Sequence, residues 1–430
     1  MTSLQTDAEP AKSGVADLPG NDLFARLGIA LDDAAVTWCR LRERGDDDED
    51  DLLIWPGDMD QAGRVISSVG FREIRHLGHG SHRAFFGYDP RTDRWPKVDV
   101  VTTIDYGRLQ EWRTGLATGC LARRERDSDG WRLADDDAFW TLLLHDTLDR
   151  PHDPFRRVDR LRELAGGAQA DGTGAQIATE IAGPRWTAAR IVDVTSGDDP
   201  ADRTALAGAL GRGLERGRAG EVLRRRMAGR ILRRLDHLDP PFLRSGLTVA
   251  LLGPDGAGKS SLSMRIGEGG PMERRSVYLG LYGGARGRPR AGRHVPGLGL
   301  ARRIAAMWRG WVIGWWHKRR GRMVIFDRHP LDARLPDGRS RLGSFRRAIL
   351  GHILPKPDVV LVLDAPAALL YERKPEHTLE RIEAQRTAYR TLARRVRGAI
   401  EIDVSRPLED VARTVTAAVW DRVDRGRVAR

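Results

Sequence analysis

Residues 253–260 read GPDGAGKS, directly after the apolar run LTVALL (247–252) and directly before SLSMRIG (261–267). No other stretch limits the fold as tightly. The spacing G-x-x-x-x-G-K-[ST] asks for a buried strand that ends in a glycine turn and runs straight into a helix. Gly256 and Gly258 let the backbone turn without a Cβ clash, so successive N–H groups converge on one anion. The following helix start adds a positive end for the same anion.

Lysine sharpens this reading. It occurs only at positions 12, 97, 259, 318, 356 and 374, and every other member of the 72 Lys+Arg total is arginine. A retained lysine therefore marks chemistry that arginine does not reproduce. Lys259 supplies a compact ammonium on a thin stem, which reaches between terminal phosphates where a planar guanidinium fits poorly. Ser260 is placed to offer a hydroxyl to Mg²⁺, and Ser261 to reach a more inward phosphate. The candidate nucleotide-binding residues are Gly253, Asp255, Gly256, Ala257, Gly258, Lys259, Ser260 and Ser261.

Beyond Asp239-Pro240-Pro241, apolar runs at 247–252, 323–326, 359–363 and 399–402 alternate with helical stretches. Continuous apolar runs suit strands buried on both faces, and the alternation predicts a parallel sheet flanked by helices, an α/β class. Four segments are expected: a disordered tail (1–20), an α+β domain (21–150), a helical linker region (151–241) and a phosphate-loop domain (242–430). Within the α+β part, DLLIW (51–55) reads as a strand and 58–71 as an amphipathic helix, with Asp58 or Asp60 as cap and Gly70 as stop. Residues 82–102 read as a hairpin turning at Asp89-Pro90, and 107–240 as helical.

In motif order, residues 246–425 resemble the thymidylate kinase family of nucleoside monophosphate kinases. The resemblance rests on the G-x-D-G-x-G-K-S loop, on Asp327-Arg328 ending the strand GRMVIF, and on a basic segment after "LDAP". It implies ATP and Mg²⁺ as cofactors and a small-molecule acceptor, a nucleotide or a relative. Asp255 would contact the acceptor's sugar, Asp327 would lie near the metal beside Ser260, and Arg328 would grip the acceptor phosphate. Arg373, Lys374 and Arg381 would form the lid, Lys259 would hold the phosphate tail, and DVSRP (403–407) would border the adenine. His329 replaces the family's usual aromatic, and the segment YLGLYGGARGRPRAGRHVPGLGLARR (278–303) is rich in glycine and arginine where such a kinase builds its base pocket. The residues favour a structural role for Asp364, at the end of its strand. Two alternatives stay open: an ATP-binding regulatory or assembly module without turnover, and a nucleotidyltransferase whose kinase-like half senses ATP.

The acidic run GDDDEDDLLIW (45–55) places Glu49 and Asp51 at alternate positions ahead of an apolar strand, and Asp99 in KVDVV offers a third carboxylate. This pattern, followed by helix and hairpin, resembles nucleotidyltransferases of the polymerase-beta type, and the resemblance implies that Glu49, Asp51 and Asp99 hold a second Mg²⁺. The upstream Gly-Ser pair of that superfamily is absent (WCRLRERG stands there) and position 50 is Asp where an apolar residue is usual. A substrate-recognising version is favoured over an active transferase.

Two cysteines, Cys39 and Cys120, provide no disulfide framework, and the polar N-terminus lacks the apolar core of a signal peptide, so a cytoplasmic location is expected. The net charge of +12 favours anionic partners, but arginine is spread along the chain instead of massed in one arm, which disfavours nucleic acid. Ile304, Met307, Trp308, Trp311, Val312 and Trp315 form one helical stripe, interrupted by Arg309 and too short to span a bilayer. It is expected to be a core or homodimer-forming helix in preference to a membrane-surface one. The flanking HKRRGR keeps a peripheral membrane contact open.

Overall fold

A computed structural model describes residues 23–42, 48–216, 219–238, 240–241, 243–244, 246–279, 298–327, 329–335 and 351–423. The tail expected over 1–20 lies outside the described residues. The first half is built on a seven-stranded mixed sheet. Its strands are β1 (Trp38–Arg40), β2 (Glu49–Ile54), β3 (Arg72–Ile74), β4 (Arg83–Phe86) and β5 (Lys97–Val101). A small ribbon of β6 (Asp105–Tyr106) and β7 (Trp112–Arg113) stands apart, and β8 (Glu125–Asp127) and β9 (Gly130–Arg132) complete the sheet in the order β3-β4-β5-β2-β1-β9-β8.

Strand parity decides where its chemistry goes. Leu52, Ile54, Val98 and Val100 face one way, into a core closed by Phe24, Leu27 and Leu31 of the helix Leu23–Asp33 and by Ala62 and Ile66 of the helix Met59–Val69. Leu53 and Val101 face the other way, against a layer that includes Phe139, Leu143, Leu161, Ile191 and Leu206 from helices between 135 and 216. Because successive side chains of a strand alternate, Glu49 and Asp51 share the face of Leu53, and Asp99 shares that of Val101.

The helix expected over 58–71 forms as Met59–Val69 and stops at Gly70, whose φ of 121° suits glycine. Asp58 precedes it but makes no side-chain cap; its carboxylate accepts from Thr37 N at 2.9 Å instead. The hairpin over 82–102 forms by antiparallel pairing of β4 with β5. The stretch from 107, read as helical, also contains β7, β8 and β9. These strands are two or three residues long, and too short to show a period.

The second half holds five strands, β10 (Leu247–Leu252), β11 (Arg274–Tyr278), β12 (Met323–Asp327), β13 (Val359–Asp364) and β14 (Ala399–Asp403), all parallel in the order β11-β12-β10-β13-β14. Four coincide with the predicted apolar runs. β11 reads RRSVY and occupies an edge, where a strand needs no apolar run.

The tryptophan helix, Leu298–Arg319, packs on the sheet core through only part of the expected stripe. It meets the sheet through Met307, Gly310 and Gly314, while Trp308 and Val312 of the expected core stripe are exposed. A Cβ at Gly310 would lie 2.7 Å from Leu279, and one at Gly314 2.7 Å from Phe326. The two glycines let the helix backbone approach the sheet closely; Trp311 packs against the same core, while Trp308 and Trp316 turn outward.

The halves meet at an aromatic seam. Trp95 of the first half lies 4.6 Å from Tyr88 and stacks edge-on with Trp420 at 4.9 Å, and its indole N–H donates to Glu268 O at 3.1 Å. Arg72 adds a bond to the Asp421 carboxylate at 3.2 Å.

Candidate functional site

In an open α/β sheet, ligands gather at the carboxyl ends of strands where the strand order reverses. β10 sits at such a point, and the loop 253–258 leaves its carboxyl end. Gly253, Gly256 and Gly258 all have positive φ (148°, 86° and 77°). Space adds a second demand, because Cβ atoms at Gly253 and Gly256 would each lie 2.6 Å from a backbone oxygen, Leu363 O and Leu370 O respectively. The loop is thus pressed against the end of β13 and the helix Ala367–Arg373, and only glycine fits there.

Below it opens a cavity of about 630 Å³, lined by the loop from Asp255 to Leu262, by Arg373 and Lys374, and by Val404, Arg406, Leu408 and Val411. Lys259 Nζ donates to Gly253 O (2.8 Å) and Pro254 O (2.7 Å), which holds the ammonium at the cavity wall. Ser260 and Ser261 also line it. Arg373 is anchored to Val404 O at 2.9 Å, joining the basic segment to the DVSRP segment expected to border a base. His377 Nε2 lies 3.7 Å from Asp255, so the turn after Lys374 reaches back across the loop.

The remaining predicted residues divide. Arg381 does not line this cavity; its side chain is exposed on the helix Leu379–Arg395, whose first turn Thr378 caps by accepting from Arg381 N at 3.4 Å. Asp327 closes β12, in register with Leu251 of β10 two residues before the loop; its side chain, like Arg328, lies outside the described residues. Asp364 proves structural. It takes bonds from Arg386 at 2.9 and 3.1 Å and from Arg390 at 2.6 Å. Burial works to raise its carboxyl, but these guanidinium bonds hold it below the usual carboxylate range.

A second cleft, of about 380 Å³, opens between the first sheet and its helical layer. Asp51 of β2 and Asp99 of β5 are paired neighbours across the parallel ladder. One carboxylate oxygen each from Glu49, Asp51 and Asp99 lie within 4.8 Å of one another, a spacing that suits a divalent ion. Asp50, on the opposite face, is buried and accepts from Arg40 at 3.2 Å, which accounts for an acid at that position.

Sequence reasoning missed what surrounds the triad. Lys97 Nζ donates to Glu49 Oε1 and to Asp99 Oδ2, each at 2.7 Å, and Arg42 pairs with Asp51 at 2.9 Å. Burial lifts the Asp99 carboxyl to about 6 although Lys97 pulls it down. For Glu49 burial works upward, but the bond and charge of Lys97 together with Asp99 and Arg42 outweigh it, and the carboxyl is lowered. His82, pushed down to about 4 chiefly by burial, stands neutral in the wall. His145 Nδ1 lies 2.6 Å from the Asp149 carboxylate and 3.2 Å from the Arg42 guanidinium, while its buried Nε2 has no hydrogen-bond partner among the described residues. The scarcity of lysine was the signal that marked Lys97.

No family model matches this chain, and no curated relative does. Among solved structures it is similar to thymidylate kinase from Candida albicans (15% identity over 41% of this chain and 91% of that one, TM-score 0.30). Deoxyadenosine kinase from M. mycoides, solved with dCMP and dCDP, is similar at 12% identity over 40% of this chain and 98% of that one, with a TM-score of 0.29.

Proposed function

We propose that this chain is an ATP- and Mg²⁺-dependent phosphotransferase acting on a nucleoside monophosphate or a related small acceptor. One observation carries the reading: the glycine loop with Lys259, Ser260 and Ser261 shares a single cavity with Arg373, Lys374 and Arg406, which come from two other segments of the chain. Phosphoryl transfer asks a protein chiefly for positioning and for cations around the phosphate oxygens, and this lining offers both. Lys259 holds the phosphate tail, Arg373 and Lys374 face it from the far wall, and Asp255 orients the acceptor's sugar. Ser260 and Asp327 are the residues proposed to hold Mg²⁺, which supplies charge neutralisation once bound. Arg328 is proposed to grip the acceptor phosphate. The test is ADP release by the full-length protein over a panel of nucleoside monophosphates and sugars. Arg328→Ala should remove transfer and spare ATP affinity, whereas Lys259→Ala should remove both; no ADP above solvent hydrolysis with any acceptor retires the reading.

A second reading concerns the first half. The pairing of Asp51 with Asp99 and the approach of Glu49 support a nucleotidyltransferase-like site that holds a cation. The Lys97 ammonium already bonds two of the three carboxylates and offsets part of their charge, which favours recognition of a substrate over transfer. Unchanged activity of Glu49→Ala with Asp51→Ala on every substrate found would set this reading aside.

A further inference from the structure

The helix Ala219–His237 has two faces of opposite character. One is seated on the first half: Val222 and Gly229 are buried, Arg226 pairs with Glu111 at 3.1 Å, Arg233 donates to Gly78 O at 3.1 Å, and Asp236 accepts from Leu77 N at 3.0 Å. On the opposite face Leu223, Met227, Ile231 and Leu235 recur every fourth residue, and Leu238 continues the line. Leu223, Met227, Ile231 and Leu238 are each more than half exposed, and Leu235 nearly half. Single exposed apolar residues are ordinary on a protein surface; five along one helix face are not.

Charge narrows the occupant. Arg224, Arg230 and Arg234 stand among these side chains, exposed and, among the described residues, without an ion pair. Between Leu223 and Leu238 the one acid is Asp236, on the packed face and bound to Arg244 at 2.6 Å. A second copy docked here would bring three unpaired guanidinium groups against three more, because a two-fold contact sets a patch against itself. An anionic lipid surface meets both features at once. It takes up the apolar side chains and attracts the arginines, whose stems can lie along it with their heads at the phosphates.

The tryptophan helix repeats the pattern. It exposes Trp308, Val312, Ile313 and Trp316 beside Arg309, and the Arg320 guanidinium lies over Trp316 at 4.8 Å. Indoles of this kind favour the membrane–water boundary. The two helices also end near one another: Arg244, a few residues past the first, packs where a Cβ at Gly321, just past the second, would lie 2.4 Å from it. No described helix is long and apolar enough to cross a membrane, so the contact is with its surface.

We propose that the Leu223–Leu238 face docks the protein on an anionic membrane surface. This goes beyond the phosphotransferase reading and does not depend on it. The experiment is co-sedimentation of the full-length protein with vesicles of phosphatidylcholine alone or with added phosphatidylglycerol. The wild type should sediment with the anionic vesicles, less so as salt is raised, and stay in solution with the neutral ones. Arg224→Gln with Arg230→Gln and Arg234→Gln should weaken binding on the order of 100-fold, at about five-fold per arginine. Met227→Ser with Ile231→Ser should weaken it by about 10-fold or more. Both variants change exposed side chains only, so their urea midpoints should match the wild type. Equal binding to both vesicles, no binding to either, or variants that bind as the wild type does would each overturn the proposal. So would a light-scattering mass showing a dimer that the serine pair breaks, because a second copy would then cover the face.

Discussion

Lys97 and Asp99 sit two positions apart on one strand, on the same face, and the lysine ammonium donates to the Asp99 carboxylate at 2.7 Å. The bond opposes burial without cancelling it, and Asp99 titrates at about 6, above its ordinary 3.8. A raised carboxyl binds more protons in the folded state than in the unfolded one. Its stabilising share is therefore complete below about pH 3.8 and is lost as pH rises through about 6. Lys97→Met removes the downward pull and should move the Asp99 titration higher still. Carboxyl-carbon NMR across the acid range checks both statements; an Asp99 that titrates near 3.8 in the wild type contradicts them.

Lys259 should not tolerate arginine. Its ammonium bonds Gly253 O and Pro254 O at 2.8 and 2.7 Å, a compact contact that a planar guanidinium does not reproduce. Lys259→Arg and Lys259→Ala are both expected to reduce kcat/KM for phosphoryl transfer by about 10²–10³-fold. Calorimetric titration with Mg-ATP should show weaker uptake in each, and an arginine variant with wild-type kinetics would contradict the assignment.

Gly256 is fixed by two constraints, a φ of 86° and the Leu370 carbonyl 2.6 Å from where a Cβ would stand. Gly256→Ala should therefore cost about 1–3 kcal/mol of stability, besides disturbing the loop. Gly258 has a positive φ but open space around it, so Gly258→Ala should cost less, about 1 kcal/mol. Urea midpoints of the two variants give the order directly.

Asp364 ties β13 to the helix Leu379–Arg395 through Arg386, and the two side chains are only 14% and 10% exposed. Asp364→Asn removes the more buried of the two carboxylates that pair with Arg386, Glu383 remaining, and should cost about 1–3 kcal/mol. Because the Asp364 carboxyl is held below 3.8, its contribution is present above that pH and lost as pH falls through the folded value. The variant should accordingly lose less on acidification than the wild type does, as pH-dependent thermal unfolding would reveal.

Much of the second half is legible in the order of residues alone. β10, β12, β13 and β14 are local apolar runs, and the turn between β10 and its helix is written in Gly253, Gly256 and Gly258. β11 is not, because an edge strand reading RRSVY carries no periodic signal. The triad of Glu49, Asp51 and Asp99 is legible as spacing, and the fold brings the three together. Lys97 between them is visible only as a rare residue, and Arg42 not at all, since sequence does not show which cation a carboxylate meets.

By itself the sequence determined what depends on neighbours along the chain: strand parity, the glycine turn that leads into Lys259, and the stop at Gly70. Tertiary structure alone decided what depends on partners far apart. It chose which face of the tryptophan helix is buried, that Arg373 and Lys374 but not Arg381 reach the cavity, and that Asp364 is a brace. Backbone preferences act over a few residues, whereas burial and charge pairing are settled by whatever the fold sets within a few ångströms.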